Sequence, residues 1–556
     1  MHNNVIYTDD TEISEIFNDY FCSIGSCLDS DIPISNLDPL QYVKVNPHSF
    51  YLYPTSPDEV DKVIKSLKNS KQHINVASDS ILKENSSTIS VVICDIINTC
   101  FETGIFPKCL KNAIISPLFK KGDRSDISNY RPISKLLTLS KIIEKLIKFR
   151  IISFMLTTNV LSPYQFGFQR GISTQDAILY VTEKIYENLN NSLSSIGVFI
   201  DYSKAFDTVN RGILLRKLQC YGIRGLPLSL ISSYLSDRWQ AVKIGNSISS
   251  YKQCNLGVPQ GSVLGPILYL IYVNEIPNIS NMCTTCLFAD DTSIIFQDSN
   301  HENLINSCNH GLEVFYEWSC ANRLSINIPK TKLMLFTNSK DYINVGRIRL
   351  NETIIEKVSS LRFLGVEIDE NMKFNYHINN IVKKISKNTG MLRKLKEFIP
   401  LNTLRNLYFV FIETYMNYCT LSFGRAYDTH LKPLEIAQRK SIRVIANQNY
   451  FAHTNPIFIN LNILKFKDIY GYRLGIYMYN NLNKFIDNIP NHDYETRSGN
   501  SFNPVFQRLT LTQKQSLKFQ GPKTWNSIPD YIRAAPSLSI FKRKYKKFLL
   551  SSYSSD

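Results

Sequence analysis

Residues 286–296 read Cys286-Leu287-Phe288-Ala289-Asp290-Asp291-Thr292-Ser293-Ile294-Ile295-Phe296. Apolar residues that favour β-strands stand on both sides of two adjacent aspartates. This pattern predicts a β-hairpin with the carboxylates at its tip. One aspartate in a turn usually has only a structural role, so the hairpin alone does not decide between a turn and a functional site.

A second acidic residue, Asp201, lies upstream, directly after the apolar residues 196–200, which are predicted to form a strand. If the two strands are neighbours in one sheet, Asp201 and Asp290 converge. Two carboxylates about 4 Å apart repel by roughly 4 kcal/mol at an effective dielectric of about 20, so they take up protons or bind cations. Such oxygens suit Mg²⁺ or Mn²⁺, and two ions can hold both oxygens of a phosphoryl transfer. On these segments alone, a metal site and a coincidence of turns fit equally well.

A glycine-rich loop lies between the two acidic segments and runs into the apolar stretch 267–273. Its sequence is Gly257-Val258-Pro259-Gln260-Gly261-Ser262-Val263-Leu264-Gly265-Pro266. Glycine lets a backbone approach a ligand closely, and the exposed amides of a helix N-terminus favour phosphate. A lone loop of this kind is more often a turn, but here it lies between two acidic strand ends, in the order that a palm domain requires.

These segments resemble motifs A, B and C of reverse transcriptases, and most closely those of non-LTR retrotransposons of the Jockey-like LINE type. The resembling segments are Asp201-Tyr202-Ser203-Lys204-Ala205-Phe206-Asp207, residues 257–266 and Phe288-Ala289-Asp290-Asp291. Further similar segments are 116–123, 129–134, 165–171, 330–336, 363–366 and 521–529. The resemblance implies an RNA-directed DNA polymerase that takes an RNA template, a DNA primer and dNTPs. It would add each dNTP to the primer 3′-OH and release pyrophosphate.

The resemblance also implies roles for the matching acidic residues. Asp201 and Asp290 would ligate two catalytic metal ions, Mg²⁺ or Mn²⁺, and Asp291 would support them less directly. The backbone carbonyl of Tyr202 would complete the metal shell. Lys330 would be the acid that protonates the pyrophosphate leaving group.

The remaining implied roles concern the nucleotide. Phe206 would lie beneath the incoming sugar, and Gln260, with Gly261, beside the nucleotide and template. The triphosphate would be gripped by Lys120, Lys121 and Arg131.

Several of these residues also fit a purely structural role. Phe206 fits a core aromatic, the pair Lys120-Lys121 fits a solvated charged face, and Lys330 fits a surface lysine. Arg131 suits phosphate better, because its guanidinium is a planar fork. Asp207 is expected to cap or pair structurally and to stay outside the metal site.

The predicted fold class is α/β, of the α+β kind, in the form of a right-hand polymerase. Its palm is expected to be an antiparallel sheet backed by helices, with fingers from about Ser90 to Ser195 and the palm from Ser195 onward. The expected divisions are an N-terminal connector with helices (1–89), fingers and palm (90–369, core about 116–366), a helical thumb (370–450) and a basic LINE-type C-terminal tail (451–556).

Hydrophobic periodicity and capping residues predict individual helices. The predicted ranges are 11–28, 56–67 with Ser56 as the N-cap, and 136–156. Beyond about Asn371 the chain is predicted to be helical and basic, and beyond about Asn447 it is predicted to contain more loop.

The net charge of +16 over 556 residues favours a polyanionic partner. Two basic runs, Lys383-Lys384 and residues 542–547, fit a nucleic-acid track as well as a solvated face. The 12 cysteines are scattered, as in a reducing compartment. Cys283 and Cys286 have metal-like spacing but lie in a predicted strand, where residues three apart face opposite sides, so strand packing is predicted rather than zinc.

The chain shows neither a signal-peptide pattern at its N-terminus nor an apolar run of membrane-spanning length. We therefore expect an intracellular protein, in nucleus or cytoplasm, without a membrane partner. Jockey-like elements resemble this chain only after an N-terminal endonuclease. Residues 8–13 and 17–21 resemble the connector ahead of the polymerase, so this chain is expected to lack that nuclease, and a downstream RNase H domain is not expected.

Two other functions fit the same motifs. One is a catalytically decayed or repurposed nucleic-acid-binding relic of the fold, and the other is a DNA-templated polymerase. A decayed copy should lose its metal ligands and loop glycines early. This chain retains the three aspartates, Gln260 and the glycines, so the active RNA-directed enzyme is the favoured prediction.

Overall fold

The computed structural model describes residues 7–68, 79–339, 343–483, 485 and 515–554, and within them it has a mixed α/β fold. The helices are α1 (Asp10–Ser30), α2 (Pro57–Lys65), α3 (Asp79–Glu84), α4 (Ser86–Thr103), α5 (Thr138–Thr157), α6 (Thr174–Asn190), α7 (Arg211–Cys220), α8 (Leu226–Leu235), α9 (Gly265–Tyr272), α10 (His301–Ala321), α11 (Asn375–Leu395), α12 (Leu401–Tyr408), α13 (Thr414–Asn417), α14 (Thr420–Phe423), α15 (Asp428–Ile445), α16 (Asn455–Asn460), α17 (Phe466–Asn481), α18 (Leu517–Ser527), α19 (Asp530–Arg533) and α20 (Leu538–Ser551). The predicted α/β class is confirmed.

The strands form two five-stranded sheets and two small hairpins. They are β1 (Ala113–Phe119), β2 (Tyr130–Lys135), β3 (Ser194–Ile200), β4 (Arg238–Ile244), β5 (Ser247–Ile248), β6 (Lys252–Cys254), β7 (Cys283–Phe288), β8 (Asp291–Asp298), β9 (Lys332–Phe336), β10 (Arg349–Leu350), β11 (Thr353–Ile354), β12 (Glu356–Lys357), β13 (Ser360–Phe363) and β14 (Val366–Asp369). Short 3₁₀ turns lie at Lys108–Leu110, Ile127–Asn129, Ile276–Asn278, Ile328–Lys330, Val345–Arg347 and Ser552–Ser554, and a π-helical segment lies at Phe409–Glu413.

The central sheet has the strand order β12-β9-β3-β8-β7. Its four strands β9, β3, β8 and β7 are antiparallel, as predicted for the palm, and only the two-residue edge strand β12 is parallel to its neighbour. Every residue of β3 is buried, which explains its continuous apolar sequence. Alternate side chains enter different cores: Ile196 and Val198 join the core that contains α9 and α10, and Phe199 joins the one that contains α6 and α11.

The second sheet joins strands that are distant in sequence, because β4 pairs with β1 in parallel and also carries β5 and β6. It therefore combines a strand from the range expected to be fingers with strands at 238–254, inside the range expected to be palm. Helix α1 packs against this sheet, and its Phe21 is buried with Ile115 and Val242.

The predicted helices form, with small shifts at their ends. Asp9 caps α1 by accepting hydrogen bonds from the amides of Thr11 and Glu12. Ser56 caps α2, as predicted, although that helix ends at Lys65 rather than at residue 67. The range 136–156 forms α5 at Thr138–Thr157.

From Asn375 to Ile445 the chain is mostly helical, as predicted, and α11 and α15 pack against each other. The described residues beyond Asn447 form helices α16 to α20, with loops between them. These helices bury Leu474, Trp525 and Phe541 in a core of their own, together with Leu179 of α6. None of the helices in the described ranges has both the length and the apolar character needed to cross a bilayer.

Candidate active site

The acidic hairpin forms as predicted. Strands β7 and β8 pair up to Phe288 and Asp291, so that Ala289 and Asp290 alone make the turn. Ala289 has a φ of 59°, the left-handed conformation that tight hairpin turns use. Asp290 is thus held in the turn, and Asp291 starts the outgoing strand.

Strand β3 places Asp201 beside this tip. It pairs antiparallel with β8, with Ile200 opposite Thr292, so the next residue, Asp201, follows opposite Asp291. On its other side, the carbonyl of Asp201 accepts a 2.8 Å hydrogen bond from the amide of Asn327. The prediction that the two acidic strands are neighbours is confirmed.

The three carboxylates affect one another electrostatically. Burial and the charge of Asp201 raise the pKa of Asp290. Burial, followed by the charges of Asp290 and Asp201, raises the pKa of Asp291 to about 6. This mutual repulsion is the field that a bound cation would relieve.

The structure does not present these carboxylates as an assembled metal shell. Among the residues that the structure describes, no group of three or more His, Cys, Asp or Glu side chains is arranged to hold an ion. The donor chemistry still fits a hard cation, since carboxylates meet at two strand ends and the Tyr202 carbonyl accepts no hydrogen bond within the described ranges. Cys283 and Cys286 lie on β7 as free thiols, as strand packing predicts.

Three basic side chains surround the acidic tip. The Lys330 ammonium lies 3.7 Å from the Asp201 carboxylate, and both are exposed to solvent. Burial and repulsion by Arg131 lower the pKa of Lys120, while Asp201 opposes that shift. The charge of Arg131 also acts on Asp290. Lys120, Arg131 and Lys330 therefore share one electrostatic neighbourhood with the carboxylates.

Lys121 interacts less with the acidic tip than Lys120 does. It is exposed, and within the described part of the chain its resolved electrostatic effect is repulsion of Lys120. Its predicted contact with a triphosphate has no support from the geometry, whereas the charges of Lys120, just after β1, and of Arg131, on β2, act on Asp290 and Asp291.

Phe206 lies on a platform of aromatic rings. It stacks on the buried ring of Tyr269, with centroids 4.5 Å apart and planes 23° apart, and Phe168 meets it edge-on at 6.3 Å. Phe206 itself is half-buried. The ring is thus held against Tyr269, and the side chain is still partly exposed. This arrangement fits a contact with a sugar as well as a position in the core.

Gln260 points toward Asp207 and donates a 2.8 Å hydrogen bond from Nε2 to its Oδ2. Asp207 is therefore paired structurally, as expected, rather than turned toward the other carboxylates. The next residue, Gly261, has a φ of 109°, and a Cβ there would come within 2.7 Å of the Ser134 carbonyl oxygen. Only glycine lets the loop lie this close to β2, which carries Arg131.

Two amides just before α9 are already hydrogen-bonded. The buried carboxylate of Glu144, on α5, accepts hydrogen bonds from the amides of Val263 and Leu264 at 2.7 and 3.1 Å. In this structure these two amides are therefore occupied by a carboxylate of the protein itself. A buried glutamate inside an apolar helix was the available signal, because such a carboxylate needs nearby donors.

Arg211 is a second residue whose role the sequence did not suggest. Its guanidinium donates to the carbonyls of Cys254, Leu256 and Gly257 at 2.8–3.0 Å. It thereby fixes the start of the loop that carries Gln260. Its position four residues after Asp207, the second aspartate of motif A, is visible in the sequence, but its partners are more than 40 positions away.

Gln165 supports the acidic turn directly. Its side chain is fully buried, and its Oε1 accepts hydrogen bonds from the amides of Gly167 and Ala289, at 2.8 and 3.2 Å. Phe166 and Tyr164 also bond to the backbone of Leu287. The segment was noticed for its resemblance to reverse transcriptases, but its function of holding the Ala289–Asp290 turn emerges only from the structure.

Comparisons with known proteins agree with this geometry. The family described as "Reverse transcriptase (RNA-dependent DNA polymerase)" matches residues 119–368. The chain is 28% identical, over 67% of its length, to the RNA-directed DNA polymerase from mobile element jockey of Drosophila melanogaster, covering 42% of that protein. It is 28% identical, over 74% of its length, to a probable RNA-directed DNA polymerase from transposon X-element of the same species, covering 46% of it.

The jockey polymerase of Drosophila funebris is similarly related, at 27% identity over 75% of this chain and 46% of the relative. The chain thus spans less than half the length of these curated relatives. Reverse transcriptases in general depend on divalent metal and act on nucleic acid and dNTPs. Residues 119–368, with their paired acidic strand ends, are a reverse transcriptase domain.

Proposed function

We propose that this chain is an RNA-directed DNA polymerase of a Jockey-like, non-LTR retrotransposon, which adds dNTPs to a primer 3′-OH. The observation that carries the proposal is the meeting of Asp201 with Asp290 and Asp291 at the ends of neighbouring strands, inside a reverse transcriptase domain. The expected partners are an RNA template, a DNA primer and dNTPs.

Two Mg²⁺ or Mn²⁺ ions would be held by Asp201, Asp290 and the Tyr202 carbonyl, with Asp291 in support. When bound, they would stabilise negative charge on the attacking and leaving oxygens. The raised pKa of Asp290 and of Asp291 supports this assignment, because the repulsion that raises it favours cation binding.

The remaining residues would bind and orient the nucleotide. Lys120 and Arg131 would contact the triphosphate, with Lys121 a weaker candidate, and Phe206 would support the sugar. Gln260 and Gly261 would border the nucleotide and template, on a loop that Arg211 fixes from behind. Such positioning is the main contribution that a protein makes to phosphoryl transfer.

Lys330 would donate a proton to the departing pyrophosphate. Its ammonium lies 3.7 Å from the Asp201 carboxylate and is exposed, so a departing group could reach it from solvent. A surface lysine that only pairs with Asp201 fits the same distance. Lys330→Arg, which keeps the charge but holds its proton more tightly, should reduce extension if proton donation matters.

Primer extension on RNA and DNA templates of identical sequence tests the proposed function. We expect dNTP incorporation on RNA that requires Mg²⁺ or Mn²⁺ and is abolished in Asp201→Asn. Binding of template–primer without incorporation would instead indicate a decayed relic of the fold, and extension restricted to the DNA template would indicate a DNA-templated polymerase.

A further inference from the structure

The last described part of the chain concentrates positive charge. Residues 515–554 contain eight Lys or Arg residues and one acidic residue, Asp530, a net charge of +7 out of the whole chain's +16. Asp530 is ion-paired with its neighbour Arg533. Nearly half of the excess positive charge therefore lies in 40 residues, of whose cations Arg533 pairs with Asp530 and Lys518 with Glu187.

Helix α20 displays much of this charge on one side. Its apolar side is buried through Phe541 and Tyr545. On a helical projection, four basic residues fall within one arc on the opposite side, and we call them the basic arc: Lys542, Arg543, Lys546 and Lys547.

No acidic residue occurs in α20. Within the described ranges, no member of the basic arc forms an ion pair with a carboxylate. Lys546 donates to the carbonyl of Asn462, and Arg543 and Lys547 are exposed. A solvated helix face ordinarily mixes both signs of charge, so an arc of one sign points to an anionic partner.

The basic arc adjoins the helices that follow the reverse transcriptase domain. Lys546 lies 6.0 Å from the centre of the Phe409 ring, and the guanidinium of Arg405 lies over the same ring at 4.9 Å. Phe409 starts the π-helical segment in the range expected to be the thumb. Positive charge thus continues from α12 onto α20, and the half-buried carboxylate of Glu413 offsets part of it at Arg405 and Lys546.

From this arrangement we propose that the basic arc of α20 binds the phosphate backbone of the template–primer duplex, beyond the part held by the thumb. The arc contains no aromatic side chain, so it lacks the stacking surfaces with which proteins hold single-stranded bases. Lone ammonium and guanidinium groups along a helix suit phosphates, independent of sequence. The proposal rests on the proposed polymerase function, since it assumes a template–primer bound in the cleft.

The test is the triple variant Lys542→Gln, Arg543→Gln, Lys547→Gln, which keeps helix-compatible side chains and leaves the Lys546 hydrogen bond intact. Its matched control is Lys44→Gln, Lys62→Gln, Lys68→Gln, which removes three exposed lysines from the N-terminal part of the chain. Both are titrated with template–primers whose duplex is lengthened in steps, at several salt concentrations, and with single-stranded RNA.

We expect the arc variant to bind long duplexes about tenfold or more weakly than the wild type at low salt. The slope of log affinity against log salt concentration should become shallower by roughly two to three. Short duplexes and single-stranded RNA should bind it as they bind the wild type and the control. Equal losses in variant and control, equal losses on short and long duplexes, a loss confined to single strands, or no loss would each overturn the proposal. If wild-type protein binds duplex in this length-dependent way but never extends a primer, the proposed function fails while the binding surface stands.

Discussion

At the scale of a single residue, Asp290 provides the direct test of the proposed site, because it lies in a two-residue turn and its pKa is raised by burial and by the charge of Asp201. Asp290→Ala should reduce extension by about a thousandfold or more, since a lost metal ligand removes several kcal/mol of charge stabilisation at ~1.4 kcal/mol per tenfold. The fold should survive, because the substitution relieves repulsion. Steady-state extension and thermal unfolding, with Asp123→Ala as the control on an exposed turn, check both expectations. Near-normal extension by Asp290→Ala would refute the site.

Asp207 provides a pH-dependent prediction at the same scale. Burial raises its pKa from the ordinary value of 3.8 to about 6, against the opposing hydrogen bond from Gln260. The folded state then holds more protons than the unfolded state between about pH 4 and pH 6. Stability contributed by this group is therefore lost as pH rises through that window.

Asp207→Asn removes this titration but keeps an oxygen that accepts from Gln260 Nε2. As pH rises from about 4 to 6, we expect the free energy of unfolding of the variant to increase relative to that of the wild type. At neutral pH the variant should be more stable by about 1–2 kcal/mol. Denaturant unfolding of both proteins across pH measures the difference. A stability difference that does not vary with pH would show that Asp207 is not the titrating group.

At the scale of elements, the acidic hairpin depends on a segment that only the fold brings to it. Gln165 accepts from the amide of Ala289, and Gly167 lies so close that a Cβ would come within 2.4 Å of the Ala289 nitrogen. Gln165→Met fills the same space without an acceptor. The buried amides then lack a partner, at a cost of about 1–3 kcal/mol.

We expect Gln165→Met to lower kcat by about tenfold or more while the affinity for template–primer stays unchanged, because the turn that orients Asp290 loosens. Single-turnover extension and a binding titration separate the two quantities. A purely structural residue would lower the amount of folded protein without changing kcat per folded molecule, and that outcome would remove Gln165 from the site's supporting residues.

Sequence patterns predicted the elements best where the determining contacts are local. The Ser56 cap, the turn at Asp290 and the apolar run of β3 each depend on neighbouring residues, and each forms as predicted. The pairing of β4 with β1 joins residues more than a hundred positions apart, and so does the bond between Glu144 and the amide of Val263. Local periodicity contains no information about such partners.

At the scale of the whole molecule, the resemblance to reverse transcriptases predicted the architecture, which hydrophobic periodicity alone did not. The order of three motifs identified the fold class, and the neighbourhood of Asp201 and Asp291 follows from that order. The C-terminal helices were missed because Gly521 and Pro522, which usually interrupt helices, lie within α18 and are buried there. Tertiary packing against Met478 and Phe485 outweighs the local preference of Gly521.

The C-terminal helices are joined to the reverse transcriptase domain through α6. Glu183 on that helix pairs with Arg425, whose side chain is almost completely buried, and accepts a 2.8 Å hydrogen bond from the amide of Leu517 at the start of α18. One turn further, Glu187 pairs with the exposed Lys518 at 3.2 Å. Glu183 thus connects α6 both to Arg425, between α14 and α15, and to the start of α18, whereas Glu187 connects α6 to α18 through an exposed lysine.

Glu183→Gln should destabilise the protein by about 1–3 kcal/mol, because it leaves a buried guanidinium without its counter-charge, with part of the loss screened by solvent near Glu183. Glu187→Gln, the matched control, should change stability by less than about 1 kcal/mol. Thermal unfolding gives the two values, and limited proteolysis reports whether α18 to α20 detach first. Equal destabilisation by the two variants would mean that Glu183 does not couple the C-terminal helices to α6. Cleavage of those helices no faster in Glu183→Gln than in wild type would mean the same.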